Sequence, residues 1–166
     1  MLIEAKPSSG AQYFETDPLL CQKFLEAGFG AMEGGKLALS ALEACFLAKI
    51  GKADFSKGGI EGAVSRQSRK DKEFEFAFAV YFAIRGTGRL VLPAKGAKGY
   101  FRVFAPGVGR AEERPSLLLR LLPGKKPTAD VLKNEVRLAH LERLDLVVAT
   151  GTAAEPKFHK ISAFNF

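Results

Sequence analysis

The sequence predicts an α/β chain of the α+β kind, with a small helix-rich α/β domain over residues 1–70 and a mixed-sheet domain over 71–166. Three observations predict it. The first part holds two helix starts with capping side chains and glycine stops. A polar run, Ser65 to Lys72 (SRQSRKDK), breaks the apolar pattern and reads as a linker. Beyond it, one apolar helix gives way to short strands divided by Pro-Gly and Gly-rich turns.

Met1 to Ala5 reads as a strand. Asp17-Pro18 starts a helix through Leu19, Leu20, Phe24 and Leu25 that ends at the glycines around Gly28 and Gly30. Ser40 to Glu43 (Ser-Ala-Leu-Glu) has the capping-box spacing, in which the Ser hydroxyl and the Glu carboxylate each satisfy a backbone N–H of the first turn, and opens a helix stopped by Gly51. After the linker, Phe74, Phe78, Tyr81 and Arg85 form a helical stripe closed by Gly86. Arg89 to Leu92 and Tyr100 to Phe104 read as a hairpin, and Ser116 to Leu122 as a buried third strand ended by Pro123-Gly124. Thr128 caps a helix through Val131, Leu132, Glu135, Val136, Ala139 and His140. Leu146 to Ala149 and Lys157 to Phe164 are the last strands.

A chain of 166 residues, 47% hydrophobic and 26% charged, carries enough apolar material for a core, which excludes wholesale disorder and the fibrous classes. Apolar stretches such as Phe76 to Ile84 end at Arg85, far short of the roughly 20 residues a membrane helix needs. MLIEAKPSSG lacks the pattern of a secretory signal, so a soluble, cytoplasmic protein with no membrane partner is expected. Cys21 and Cys45 are too few for a metal motif or a disulfide framework and read as core residues. No GxGxxG, P-loop or HExxH pattern occurs, so no cofactor and no metal are expected. Few Asn and Gln, with 2 Met and 2 Cys, hint at a hot habitat.

The formal charge of +7 suggests a polyanionic partner. Ser56 to Arg110 carries the excess, and between Arg85 and Arg110 there is no acid: Arg85, Arg89, Lys95, Lys98 and Arg102 interleave with Tyr100, Phe101 and Phe104. Such a stretch suits phosphate contacts. It equally suits a solvated face that keeps the protein soluble.

Four blocks in fixed order then resemble the archaeal tRNA-splicing endonucleases: LALSALEACFLAKIGK (37–52), VYFAIRGTGRLVL (80–92), FRVFAPG (101–107) and VRLAHLERLDLVVA (136–149). The resemblance covers about two thirds of the chain and implies an α/β N-terminal domain joined to a nuclease-like C-terminal domain. It also implies metal-free cleavage of RNA by its own 2′-hydroxyl, which needs a base, an acid and a cation at the phosphate. The family fills those roles with Tyr, His and Lys. The matching positions here are Phe104, Pro115 and Leu144, none of which can serve. No catalytic residue is therefore expected. The departures imply a structural subunit working beside a separate catalytic chain, two of each, on precursor tRNA.

In that family the terminal strand pairs with its counterpart in a neighbouring subunit. Phe158, Ile161, Phe164 and Phe166 fit such an interface, and they also fit packing on the chain's own sheet. A family loop just before that strand inserts acids into a basic pocket of another subunit, and here Thr150 to Pro156 offers only Glu155. Two rival classes stay open. A stand-alone RNA-binding module would use the basic stretch without a partner chain. A nuclease of another chemistry would need His140 or Glu142.

Overall fold

A computed structural model describes residues 2–5, 13–15, 17–55, 58–94, 97–107, 114–124 and 128–162. The chain forms two compact units, residues 1–78 and 79–166.

The first unit runs β1 (Leu2–Ala5), β2 (Tyr13–Glu15), α1 (Pro18–Glu26), β3 (Ala31–Glu33), β4 (Lys36–Leu39), α2 (Ala41–Lys49), β5 (Asp54–Phe55) and α3 (Gly59–Lys70). Its sheet has the order β3-β4-β2-β1-β5, with only the β1–β5 pairing parallel. The helix starts lie where local chemistry puts them. Asp17 accepts from the N–H groups of Leu19 and Leu20, and Ser40 and Glu43 complete their capping box. Burial of Leu37 and Leu39 on β4 and of Ala44, Cys45 and Leu47 on α2 builds the core.

The polar run 65–72 is not a linker. Residues 65–70 are the second half of α3, with Ala63 and Gln67, four apart, on its buried side and Ser65, Arg66, Arg69 and Lys70 facing water. Only one narrow stripe is buried, so the segment reads as polar throughout. Strands β2 to β5 are two to four residues long and carry no extended alternation, which is why the sequence pattern passes over them.

Helix α4 (Phe74–Arg85) follows, and the division between the units falls within it. The second unit continues with β6 (Arg89–Pro93), β7 (Tyr100–Pro106), β8 (Leu117–Leu121), α5 (Ala129–Leu141), β9 (Asp145–Gly151) and β10 (Pro156–Ile161). All are elements the sequence predicts. The strands lie in the order β10-β9-β8-β7-β6, antiparallel except for β8–β9, which α5 joins in parallel. The fold is thus α+β with a mixed sheet. Helix α5 packs Val136 and Ala139 onto Leu118, Leu146 and Val148 of the central strands. Among the described residues no helix is long and apolar enough to cross a membrane.

Candidate functional site

The positions matching base, acid and cation lie at one end of the second sheet. Antiparallel β7 and β8 pair Val103 with Leu117, and parallel β8 and β9 pair Leu117 with Asp145. Phe104, Pro115 and Leu144 each lie within two residues of that row. Ser116 ties the corner: its N–H donates to the Val103 carbonyl at 2.8 Å, and its own carbonyl accepts from the Asp145 N–H at 3.2 Å. The topology therefore gathers the three positions although they are far apart in sequence.

The side chains of Phe104 and Leu144 are buried, and that of Pro115 is partly exposed. Phe104 is buried, at 7% exposure. Leu144 belongs to the end of α5, where Glu142 is the C-cap, Arg143 adopts φ +57° and the Leu144 N–H returns to the Ala139 carbonyl at 2.9 Å. Together with the Arg143 N–H to the His140 carbonyl at 3.0 Å, this is a Schellman closure. In it the residue at Leu144 drops its apolar side chain into the core formed with Val136 and Leu146. No proton acceptor, donor or cation projects from any of the three.

Cations flank this end. Arg89 Nη1 donates to the Phe104 carbonyl and Arg85 Nη1 to the Arg89 carbonyl, each at 3.3 Å, so these two guanidinium groups form a chain beside β7. Lys98 is exposed at the opposite end of the sheet, where its carbonyl accepts from Arg120 Nη1 at 3.0 Å. The acid-free stretch is not acid-free in space: Arg102 pairs with Glu142 at 2.8 Å, with both side chains nearly half exposed. Lys95 lies outside the described residues.

Glu142 and Asp145 do not act as a carboxylate pair, because Glu142 is held by Arg102 and Asp145 by Lys160 at 2.8 Å. His140 is exposed on α5, and His159 is exposed with its Nε2 3.0 Å from Thr150 Oγ1. Sequence reasoning missed one cluster. Tyr100 donates to the buried Glu135 at 2.8 Å, while Arg120 lies 3.3 Å from the same carboxylate oxygen and 4.3 Å above the Tyr100 ring. Arg120 also explains a glycine, since a Cβ at Gly99 (φ +77°) would come 2.8 Å from its guanidinium. Among the described residues no group of three His, Cys, Asp or Glu side chains could hold a metal ion.

The terminal strand β10 is the sheet edge, and its alternation separates the residues that the sequence groups together. Ile161 pairs with Leu146 and packs, partly buried, against the unit's own core. Phe158 points to the other face and stays 43% exposed. Glu155 is exposed, 3.5 Å from Lys157 Nζ. Phe164 and Phe166 lie outside the described residues.

No protein-family model matches the chain. Among curated proteins, the tRNA-splicing endonuclease of Thermococcus onnurineus is 30% identical over 152 residues, spanning 89% of this chain and 87% of that one. The chain belongs to the tRNA-splicing endonuclease family. The tRNA-splicing endonuclease of Pyrococcus furiosus is 28% identical over 152 residues, 89% of this chain and 88% of that protein. That of Thermococcus gammatolerans is 27% identical over 165 residues, 95% and 96% of the two. The similarity to these splicing endonucleases thus extends over both units, beyond the four blocks that carry the resemblance.

Proposed function

We propose that this chain is a non-catalytic subunit of a heteromeric tRNA-splicing endonuclease, two copies joining two copies of a separate catalytic chain to remove introns from precursor tRNA. The observation that carries this reading is the content of the sheet end where Phe104, Pro115 and Leu144 converge. Attack of a ribose 2′-hydroxyl on the neighbouring phosphodiester needs a group to take its proton, a group to protonate the leaving oxygen and a charge against the phosphate. A phenyl ring, a proline and a core leucine supply none of these. The subunit's contribution is then assembly through the β10 edge, with Phe158 exposed beside it, and cations near the RNA from Arg85, Arg89, Lys95, Lys98 and Arg102.

The test pairs a cleavage assay with mass measurement. The purified chain alone leaves precursor tRNA intact, and co-expression with a catalytic chain of the family yields a two-plus-two complex that cuts it. Cleavage by the chain alone in a nuclease-free preparation overturns the proposal. Restoring Tyr, His and Lys together does not rescue activity, because a lysine at position 144 replaces a residue only 5% exposed that closes α5.

A further inference from the structure

We infer that the groove between α5 and the end of β10 receives residues 163–166 of this same chain, Ala-Phe-Asn-Phe, with the rings of Phe164 and Phe166 as its occupants. The inference concerns the chain by itself and does not depend on the tRNA-processing reading. The groove holds about 690 Å³. Its apolar surface comes from Leu132, Val136, Leu141 and Ile161, and Lys133, Arg137 and His140 line it with exposed side chains. Ser162, the last described residue, is itself part of the lining, so the residues that follow it start at the groove.

Strand geometry and reach direct the segment there. In the β9–β10 register Ile161 lies opposite Leu146, which sets Ser162 opposite Asp145, the first residue of β9. Past that point the ladder offers no partner, because Leu144 is turned into the core and its N–H is spent on the Ala139 carbonyl. The segment thus leaves the sheet at the C-terminal end of α5. Extended backbone puts residues two apart on one side, so the two rings share a face and Asn165 takes the other. Four extended residues reach about 13–14 Å. That matches α5 from Leu141 back to Leu132, about 14 Å at 1.5 Å per residue.

The chemistry of the groove suits aromatic rings. Leu141 is 73% exposed beside it, apolar surface that a ring covers at a large gain in burial. Lys133, Arg137 and His140 fall at i, i+4 and i+7, one exposed stripe along the helix. Cations so placed meet the negative faces of aromatic rings lying on the floor between them. No carboxylate is among the described lining residues, so an apolar, aromatic segment fits better than a basic one. Docked in this way, residues 163–166 clamp the end of β10 to α5 and hold the sheet edge in place, while Phe158 on the other face stays open.

The experiment uses the lack of tryptophan in the sequence. Phe166→Trp puts a single indole reporter in the full chain, and Phe164→Trp repeats the measurement one alternation earlier. In the isolated native chain the indole should emit to the blue of its emission in denaturant and resist acrylamide quenching several-fold, with neither property changing on dilution. Protection at one of the two positions suffices, since the larger indole need not fit at both. Leu141→Asp in the same background should shift the emission to the red and restore quenching, whereas Leu138→Asp, at an exposed position that does not line the groove, should change nothing. Circular dichroism melting checks that these exposed substitutions leave the fold intact. Emission and quenching equal to those of the denatured chain at both positions overturn the inference, as does indifference to Leu141→Asp. Protection that fades on dilution, or that arises only when the catalytic chain is added, puts the segment on another subunit and overturns it too. None of these results touches the subunit reading, which is decided by cleavage and by the mass of the complex.

Discussion

The Tyr100 phenol donates a 2.8 Å hydrogen bond to Oε1 of Glu135, joining the start of β7 to the middle of α5 across 35 positions of sequence. Glu135 is 5% exposed, so its carboxylate depends on protein donors, and Arg120 supplies the other nearby charge at 3.3 Å. Tyr100→Phe keeps the ring under the Arg120 guanidinium and removes only the donor. It should lower unfolding stability by about 1–3 kcal/mol, read from denaturant melts, because a buried acceptor loses a partner.

The same pair gives a pH dependence. Burial holds Tyr100 above its ordinary value of 10.0, reinforced by the hydrogen bond to Glu135 and its negative charge and opposed by Arg120. A folded value raised above the unfolded one favours the neutral phenol in the native state. That stabilisation is complete below the unfolded value and disappears as pH rises through the folded one. The stability difference between wild type and Tyr100→Phe should therefore be flat through neutral pH and shrink only above about 10. A difference already shrinking at neutral pH would contradict the assignment.

Glu43 ties the first unit together in a similar way. Its Oε2 accepts from the Ser40 N–H at 2.8 Å, completing the capping box, and its Oε1 accepts from the Gly30 N–H at 2.9 Å. Gly30 is fixed there by φ +65° and by the Ala38 carbonyl oxygen, 2.6 Å from where a Cβ would sit. Glu43→Ala orphans two N–H groups in a largely buried site and should cost about 3 kcal/mol in chemical denaturation. Gly30→Ala should also destabilise, through backbone strain and the carbonyl clash.

These interactions mark the limit of what the sequence made legible. The caps at Asp17, Ser40 and Thr128 act over two or three residues, so spacing alone reveals them, and the helices start where they predict. The strands of the second unit are long enough to show alternation or a buried apolar run. By contrast, Glu43 to Gly30, Tyr100 to Glu135 and Arg102 to Glu142 bridge 13, 35 and 40 positions, and only the folded register brings them together. The sheet end was readable as a set of positions by family resemblance. The closure that makes Leu144 a core residue was not, since it depends on Arg143 in the left-handed region. A basic stretch in sequence likewise did not reveal that Arg102 is already paired.

Charge reversal should separate RNA binding from solubility in that stretch. Glutamate at Arg85, Arg89, Lys95 or Lys98 in the assembled complex should weaken RNA binding and lower the salt slope by about 0.7 to 0.9 for each phosphate that is no longer neutralised. Arg102→Glu should add a stability penalty of less than about 1 kcal/mol by setting a second carboxylate against Glu142, an exposed pairing of modest worth. Filter binding at several salt concentrations measures the slopes. Unchanged slopes in every variant would assign these cations to solubility or to a protein interface.

The terminal strand allows the sharpest distinction, because its two large apolar residues face opposite ways. Phe158→Lys alters a side chain that is 43% exposed on the sheet edge, so the isolated subunit should keep its melting temperature while losing its partner chain. Ile161→Lys alters a side chain packed against the core around Leu146 and Val136, so it should destabilise the isolated subunit by about 1.5–3 kcal/mol before any question of assembly arises. Deleting residues 157–166 removes β10 and leaves β9 as a new, unpaired edge whose N–H and C=O groups have no ladder partner, so both folding and assembly should fail. Melting curves and native mass measurement on the same samples separate these outcomes. Co-purification of Phe158→Lys with the catalytic chain at unchanged mass would show that the edge is not where the subunits meet.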